Sequence, residues 1–161
     1  MRDAEITFAE RLWPGPLGWG LVGGFAAFAG IALLPVATVA AAVGVAVALL
    51  AGVALVALGT TTVAVRGDEL HVGRAHIPVV LLGPGRTLDR AGVRAAVGPG
   101  SDARAFVCLR AWLPGAAELP VIDPDDPTPT WLVSSRRPGA LLSAVAAAQR
   151  RAQAAHSEQT I

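Results

Sequence analysis

The chain has 161 residues and carries 13 basic and 12 acidic side chains for a formal charge of +1, a balance that points neither to nucleic acid nor to a strongly acidic substrate. Every basic residue is Arg, and Lys, Asn and Tyr are absent, the composition expected of a GC-rich genome. A single cysteine, Cys108, excludes an intramolecular disulfide and a zinc-ribbon framework.

Residues 1–16 read as a cytoplasmic N-terminal segment ahead of a long apolar stretch. From Arg11 to Arg66 there is no charged residue, and as helix this run is about twice what is needed to cross a hydrocarbon core of ~30 Å. Two transmembrane helices are therefore predicted over 17–58. They should run from 17 to 34 and from 36 to 58, broken at Leu34-Pro35-Val36 because Pro lacks a donor and disfavours helical geometry in its predecessor. Trp13 and Trp19 fall where an interfacial aromatic belt belongs. A cleaved signal peptide fits poorly, because the flank is as acidic as it is basic and a second full span follows. A buried soluble hairpin fits no better, since too little chain remains to cover two helices that are apolar all round.

Arg2 and Arg11 precede the spans and Arg66 and Arg74 follow them, while the connection between the helices has no Arg. The excess of basic residues marks the cytoplasmic side, so both termini are expected inside the plasma membrane, and Asp3, Glu5 and Glu10 do not alter the count. Gly20 and Gly24 in the first helix, and Ala40, Gly44, Ala48 and Gly52 in the second, recur at four-residue spacing. Such faces suit self-packing of the hairpin or a homo-oligomer. No ionisable group lies in either span, which argues against a transport pathway.

Residues 60–153 are expected to form a small cytoplasmic α+β domain of antiparallel strands with one C-terminal helix. Thr61 to Arg66 alternate as a strand, Gly67-Asp68 turns the chain, and Leu70 and Val72 lie on a returning strand that Pro78 ends. Further strands are predicted over 79–82, 105–110, 118–122 and 130–134, with a short pairing after Arg86 and one or two helical turns over 89–97. The Asp123 to Pro129 loop has turn chemistry. A helix over 138–152 starts at Pro138, with Ser135 as a cap and Leu141, Leu142, Val145 and Ala148 on one face, and 154–161 should form a flexible tail. This order of elements is that of pleckstrin-homology-like domains, an analogy of fold that carries no function.

Four features could carry chemistry. Ser134, Ser135, Arg136 and Arg137 set two hydroxyls and two guanidinium groups before a helix start, a pattern able to hold an anion or a partner's carboxylate, with a capped helix and solvated arginines as the plainer alternative. Asp123, Asp125 and Asp126 offer oxygen ligands, but the interleaved prolines favour an Asx-type turn and the EF-hand spacing is missing. His71 and His76 would lie on opposite faces of one strand, and His156 is in the tail, so no histidine metal site is expected. Cys108, mid-strand and without a nearby His, reads as a buried apolar residue.

Taken together, Glu10-Arg11-Leu12-Trp13-Pro14, Arg104-Ala105-Phe106, Leu109-Arg110-Ala111-Trp112 and above all Asp123-Pro124-Asp125-Asp126-Pro127-Thr128-Pro129 running into Trp131-Leu132-Val133-Ser134-Ser135-Arg136-Arg137-Pro138 resemble the Domain of Unknown Function 3093 family, alanine-rich actinobacterial membrane proteins. Thr130 stands where an aromatic is expected before Trp131, and Ala111 where Pro is expected. The resemblance spans nearly the whole chain. It implies membrane location and an actinobacterial source, and it supplies no activity.

The expectation is a membrane-anchored cytoplasmic binding or scaffold domain, with no catalytic residue, metal or cofactor assigned. Its partners would be the bilayer and a protein or anionic lipid headgroup. Arg66 and Arg74 would be juxtamembrane lipid contacts, each worth about 1 kcal/mol near an anionic leaflet. The alternatives are a membrane-face enzyme using Asp123, Asp125 and Asp126 with Arg136 and Arg137, and an accessory subunit of a larger membrane complex docked through the small face of the second helix.

Overall fold

The computed structural model describes residues 6–99 and 101–159. Arg2, Asp3 and Glu5, part of the predicted orienting flank, and the last two residues of the predicted tail lie outside these. The chain divides into two compact units, Trp13–Thr60 and a β-rich unit that joins Met1–Leu12 to Thr61–Ile161.

The first unit is a helical pair. Helix α1 (Pro16–Leu33) has Pro at its first turn, and α2 (Thr38–Gly59) follows a turn around Pro35 with Ala37 as its extended N-cap. The predicted break is in place, and the helix bounds differ from expectation by one or two residues. Both helices are long and apolar enough to cross a membrane. They pack through small residues. A Cβ on Gly30 would lie 2.6 Å from Val45, one on Gly52 would lie 2.5 Å from Val22, and one on Gly44 would strike Leu33. Gly20 and Gly24 face open space, so the first helix's small face takes no part in this contact.

In the β-rich unit, strands β1 (Ile6–Arg11), β2 (Thr62–Arg66), β3 (Glu69–Val72) and β4 (Ala75–Pro78) form an antiparallel sheet in chain order. The turns are Gly67-Asp68 and Gly73-Arg74, with φ +55° and +64° at the two glycines, so each places Gly at the first central position where a II′ hairpin needs it. Two of these strands are additions to the expected set. The segment read as a flank supplies β1, which pairs with β2 from Phe8↔Val65 to Arg11↔Thr62, and β4 follows a turn that the sequence reading had merged into the end of β3.

After a 3-10 turn (Val79–Leu81) in place of the predicted strand over 79–82, the chain forms β5 (Arg86–Leu88) and α3 (Arg90–Ala96). Helix α3 is capped by Asp89, whose carboxylate accepts the Gly92 N–H at 2.7 Å. Strands β6 (Phe106–Cys108), β7 (Ala116–Pro120) and β8 (Thr130–Ser134) complete a second sheet in the order β5-β7-β8-β6. Strand β7 begins two residues earlier than predicted. The β6–β8 pair is parallel, so this sheet is mixed and the all-antiparallel expectation is corrected. Alternate residues of β8 serve two cores: Trp131 and Val133 join the main one, Leu132 a smaller one with Leu88 and Ala116 against which α3 packs Val93 and Ala96.

Helix α4 (Pro138–Gln159) contributes Leu141, Ala144, Val145 and Ala148 to the main core beside Phe8, Leu12, Val63 and Val65. It runs well beyond residue 152, because the Gln153, Ala154 and Ala155 that follow are good helix formers and no Gly or Pro interrupts them.

Candidate functional site

At the start of α4 the predicted anion pattern already holds an anion, the chain's own Glu10. This carboxylate comes from the core-facing side of β1 and is 7 % exposed. It accepts a hydrogen bond from the Ser135 hydroxyl at 2.6 Å and from the Arg136 N–H at 2.9 Å, with the Arg136 guanidinium 3.6 Å away. Ser135 in turn accepts the Arg137 N–H at 3.0 Å, so it shapes the turn before α4 as well as binding Glu10. Arg136 also donates to the Arg11 carbonyl at 3.0 Å, and the Arg137 guanidinium lies 5.7 Å from the centre of the Phe8 ring. Ser134 faces elsewhere and accepts the Arg110 N–H at 2.9 Å. Ser135, Arg136 and Arg137 therefore fasten β1 to the β8–α4 junction, while Ser134 ties β8 to the segment after β6.

Arg66 and Arg74 separate. Arg74 follows Gly73, whose N–H donates to the Thr62 carbonyl at 2.8 Å, so it lies at the end of the sheet where β2 begins. Arg66 closes β2 at the opposite end, roughly 13 Å away at ~3.3 Å per residue. The β2-start end also holds Arg11, paired with Thr62, and Arg110, which donates to the Thr61 hydroxyl. With Arg136 tied to Arg11, four arginines thus gather where the chain leaves this unit at Leu12 and returns at Thr61.

The remaining features take structural roles. Asp123 accepts the Asp125 N–H at 3.0 Å and Asp126 the Thr128 N–H at 2.8 Å, the Asx turns that hold the β7–β8 loop, and the second bond keeps the Asp126 carboxyl below its usual pKa. His71 and His76 are not on opposite faces of one strand as predicted. The Gly73-Arg74 turn sets them directly across from each other on β3 and β4, with rings stacked 5.6 Å apart and His71 Nε2 3.1 Å from Glu69. Among the described residues no group of three His, Cys, Asp or Glu side chains is placed to hold a metal ion. Burial pushes the Cys108 thiol up in pKa, away from the reactive thiolate.

A cleft of about 470 Å³ that the sequence reading missed opens between α3 and the β6–β7 connection. Arg90 and Arg94, one turn apart on α3, line it with Arg110 and Ser134 from the carboxyl ends of the parallel strands β6 and β8. Val93, Leu109 and Leu113 supply apolar wall, and no carboxylate lines it. The four-residue spacing of Arg90 and Arg94 was the one local signal; Arg110 reaches the cleft through tertiary packing alone.

A family profile described as Protein of unknown function (DUF3093) matches residues 7–145. No curated protein and no solved structure matches the chain.

Proposed function

We propose, from the premise that this chain belongs to the DUF3093 family, that it is a membrane-anchored binding domain, with the helical pair as anchor and the β-rich unit presented to ligands at the cytoplasmic face of the plasma membrane. The observation that carries this reading is where the anchor is inserted. Strand β1 ends at Arg11 and β2 starts at Thr62, the two residues are register partners, and the Leu12 N–H donates to the Thr61 carbonyl at 2.8 Å. A chain that departs and returns between hydrogen-bonded neighbours must cross a bilayer an even number of times. The arginines gathered at that same end agree with a cytoplasmic side, because basic residues flank the ends of spans there.

Binding rather than catalysis is supported by how the polar groups are used. Glu10, Ser135 and Arg136 bond one another, the Asp123 and Asp126 carboxylates close turns, and Cys108 is buried. The cleft lined by Arg90, Arg94 and Arg110 is what the unit offers to a ligand. In layout the unit is pleckstrin-homology-like, an antiparallel sheet and a second sheet closed by a C-terminal helix, with the parallel β6–β8 pair as its departure.

Reporters fused before Met1 and after Ile161 test the anchor. Both should read as cytoplasmic; reporters on opposite sides, or protein released from membranes by alkaline carbonate, would reject it.

A further inference from the structure

We infer that the cleft between α3 and the β6–β7 connection is a binding site for a phosphate-bearing ligand, gripped by the guanidinium groups of Arg90, Arg94 and Arg110. The site lies wholly within the β-rich unit, and only the expected source of the ligand rests on the membrane reading above.

Several arginines of the unit are ion-paired, whereas Arg90 and Arg94 are among those that are not. Arg86 meets Glu118 at 2.5 Å, Arg104 meets Asp102 at 2.7 Å and Arg136 lies 3.6 Å from Glu10. Arg90 and Arg94 form no ion pair or hydrogen bond among the described residues, and they face the same space as Arg110. Three like charges around one cleft repel one another unless an anion sits between them.

Arg110 gives an independent sign. Its two terminal nitrogens donate to neutral oxygens, the Leu109 carbonyl and the Thr61 hydroxyl, while its Nε is shut off from solvent with no partner at all. A partly buried cation with neutral partners and one orphaned donor has no counter-charge within hydrogen-bonding reach.

The shape favours phosphate over a simple carboxylate. The exposed guanidinium forks of Arg90 and Arg94, with Arg110 as a third positive charge, match an anion with several oxygens, and planar forks are well suited to bidentate contact with phosphate. Ser134, whose oxygen already accepts the Arg110 N–H, keeps a hydroxyl proton to donate. The volume exceeds that of a bare ion, and Val93, Leu109 and Leu113 provide wall for an attached organic body. Such a phosphate could belong to a lipid headgroup or to a soluble phosphate ester. Two features favour the lipid: Arg110 is fastened to Thr61, the residue that follows the cap of α2, and Trp112 in the same connection is 42 % exposed.

The test uses the full chain purified in detergent micelles. Pyrophosphate binding is followed by the rise in thermal midpoint, and retention of phosphatidic acid by native mass spectrometry. The Arg90→Ala plus Arg94→Ala variant removes two exposed side chains and should fold normally, Arg110→Gln is the second variant, and Arg150→Ala on α4, which removes one charge as Arg110→Gln does, is the control. Each cleft variant should weaken one or both probes by about tenfold or more, with the control unchanged. Loss with phosphatidic acid alone assigns a lipid headgroup, loss with pyrophosphate alone assigns a soluble phosphate ester, and loss of both supports the shared phosphate site. Unaltered binding of both probes, or equal weakening by Arg150→Ala, would overturn the site. A wrong anchor would appear in the reporters and leave these micelle measurements standing.

Discussion

In helix α2 the buried residues are Ala41 and Ala48, while Leu50, Leu55 and Leu58 are 71–85 % exposed; in the β-rich unit Leu70, Leu82, Leu119 and Leu141 are all at 2 % or less. The same residue types are thus turned inside out between the two units. In the β-rich unit, burying each large side chain away from water contributes roughly 1.5–3 kcal/mol. The helical pair gains little that way. It brings its backbones together over Gly30, Gly44 and Gly52 and leaves its large side chains to the surroundings, as packing through small residues in an apolar medium would require.

The strongest way to break this comparison is from the β-rich side. Glu10→Ala removes the acceptor shared by the fully buried Ser135 hydroxyl and the Arg136 N–H. It should cost about 3 kcal/mol, and chemical denaturation in micelles should show the β-rich unit melting early while the helical signal of the pair persists. A change under ~0.5 kcal/mol would mean that Glu10 is dispensable. From the other side, Gly52→Leu should destabilise the pair by about 1–3 kcal/mol by forcing Val22 away, whereas Gly24→Leu, facing open space, should be near neutral; titration with a denaturing detergent reads the difference. Equal effects of the two would deny that α2's glycines make the contact.

Acid should sharpen the contrast with the smallest effect. The helical pair has no titratable side chain, so pH acts on the β-rich unit alone. There the Asp102 carboxyl is held at about 2 by the Arg104 side chain and then by its backbone N–H. A depressed folded pKa favours the folded state fully above about pH 4, and that contribution is lost as pH falls toward 2. On this exposed pair the effect is slight, and NMR titration of Asp102 with and without Arg104→Ala is the measure. A midpoint near the ordinary value of 3.8 in both chains would remove the pair from account.

How much of this was legible followed the range of the forces involved. The helical pair is written locally, in a run without charge and one proline, and its bounds came within two residues. Strand β1 was missed because Ile6–Arg11 ends in Glu10 and Arg11 and reads as a charged flank; its partner lies about fifty residues on, and the inward carboxylate is explained only by Ser135 and Arg136. Strand β4 was missed because Gly73-Arg74 carries half of the usual turn signature. The parallel alignment of β6 with β8 is likewise nonlocal. For the site, the Ser135-Arg136 pattern was legible as a set of anion-directed donors, but their contact with Glu10 is nonlocal and could not be read, and Arg110 joins Arg90 and Arg94 only once two sheets and α3 have packed.

The position of β1 also sets an order of assembly. Its strand partner among the described residues, β2, is synthesised after both apolar helices, and the Ser135 that receives Glu10 lies 125 residues downstream. During synthesis the first strand must therefore wait, unpaired, until α1 and α2 have been made and the chain has come back beside it, and closing so wide a loop is an intrinsically late event. If the helical pair spans a bilayer as proposed above, a chain that does not return to the side it left cannot bring β2 beside β1, so the finished β-rich unit would act as a built-in proofreader of the hairpin's insertion.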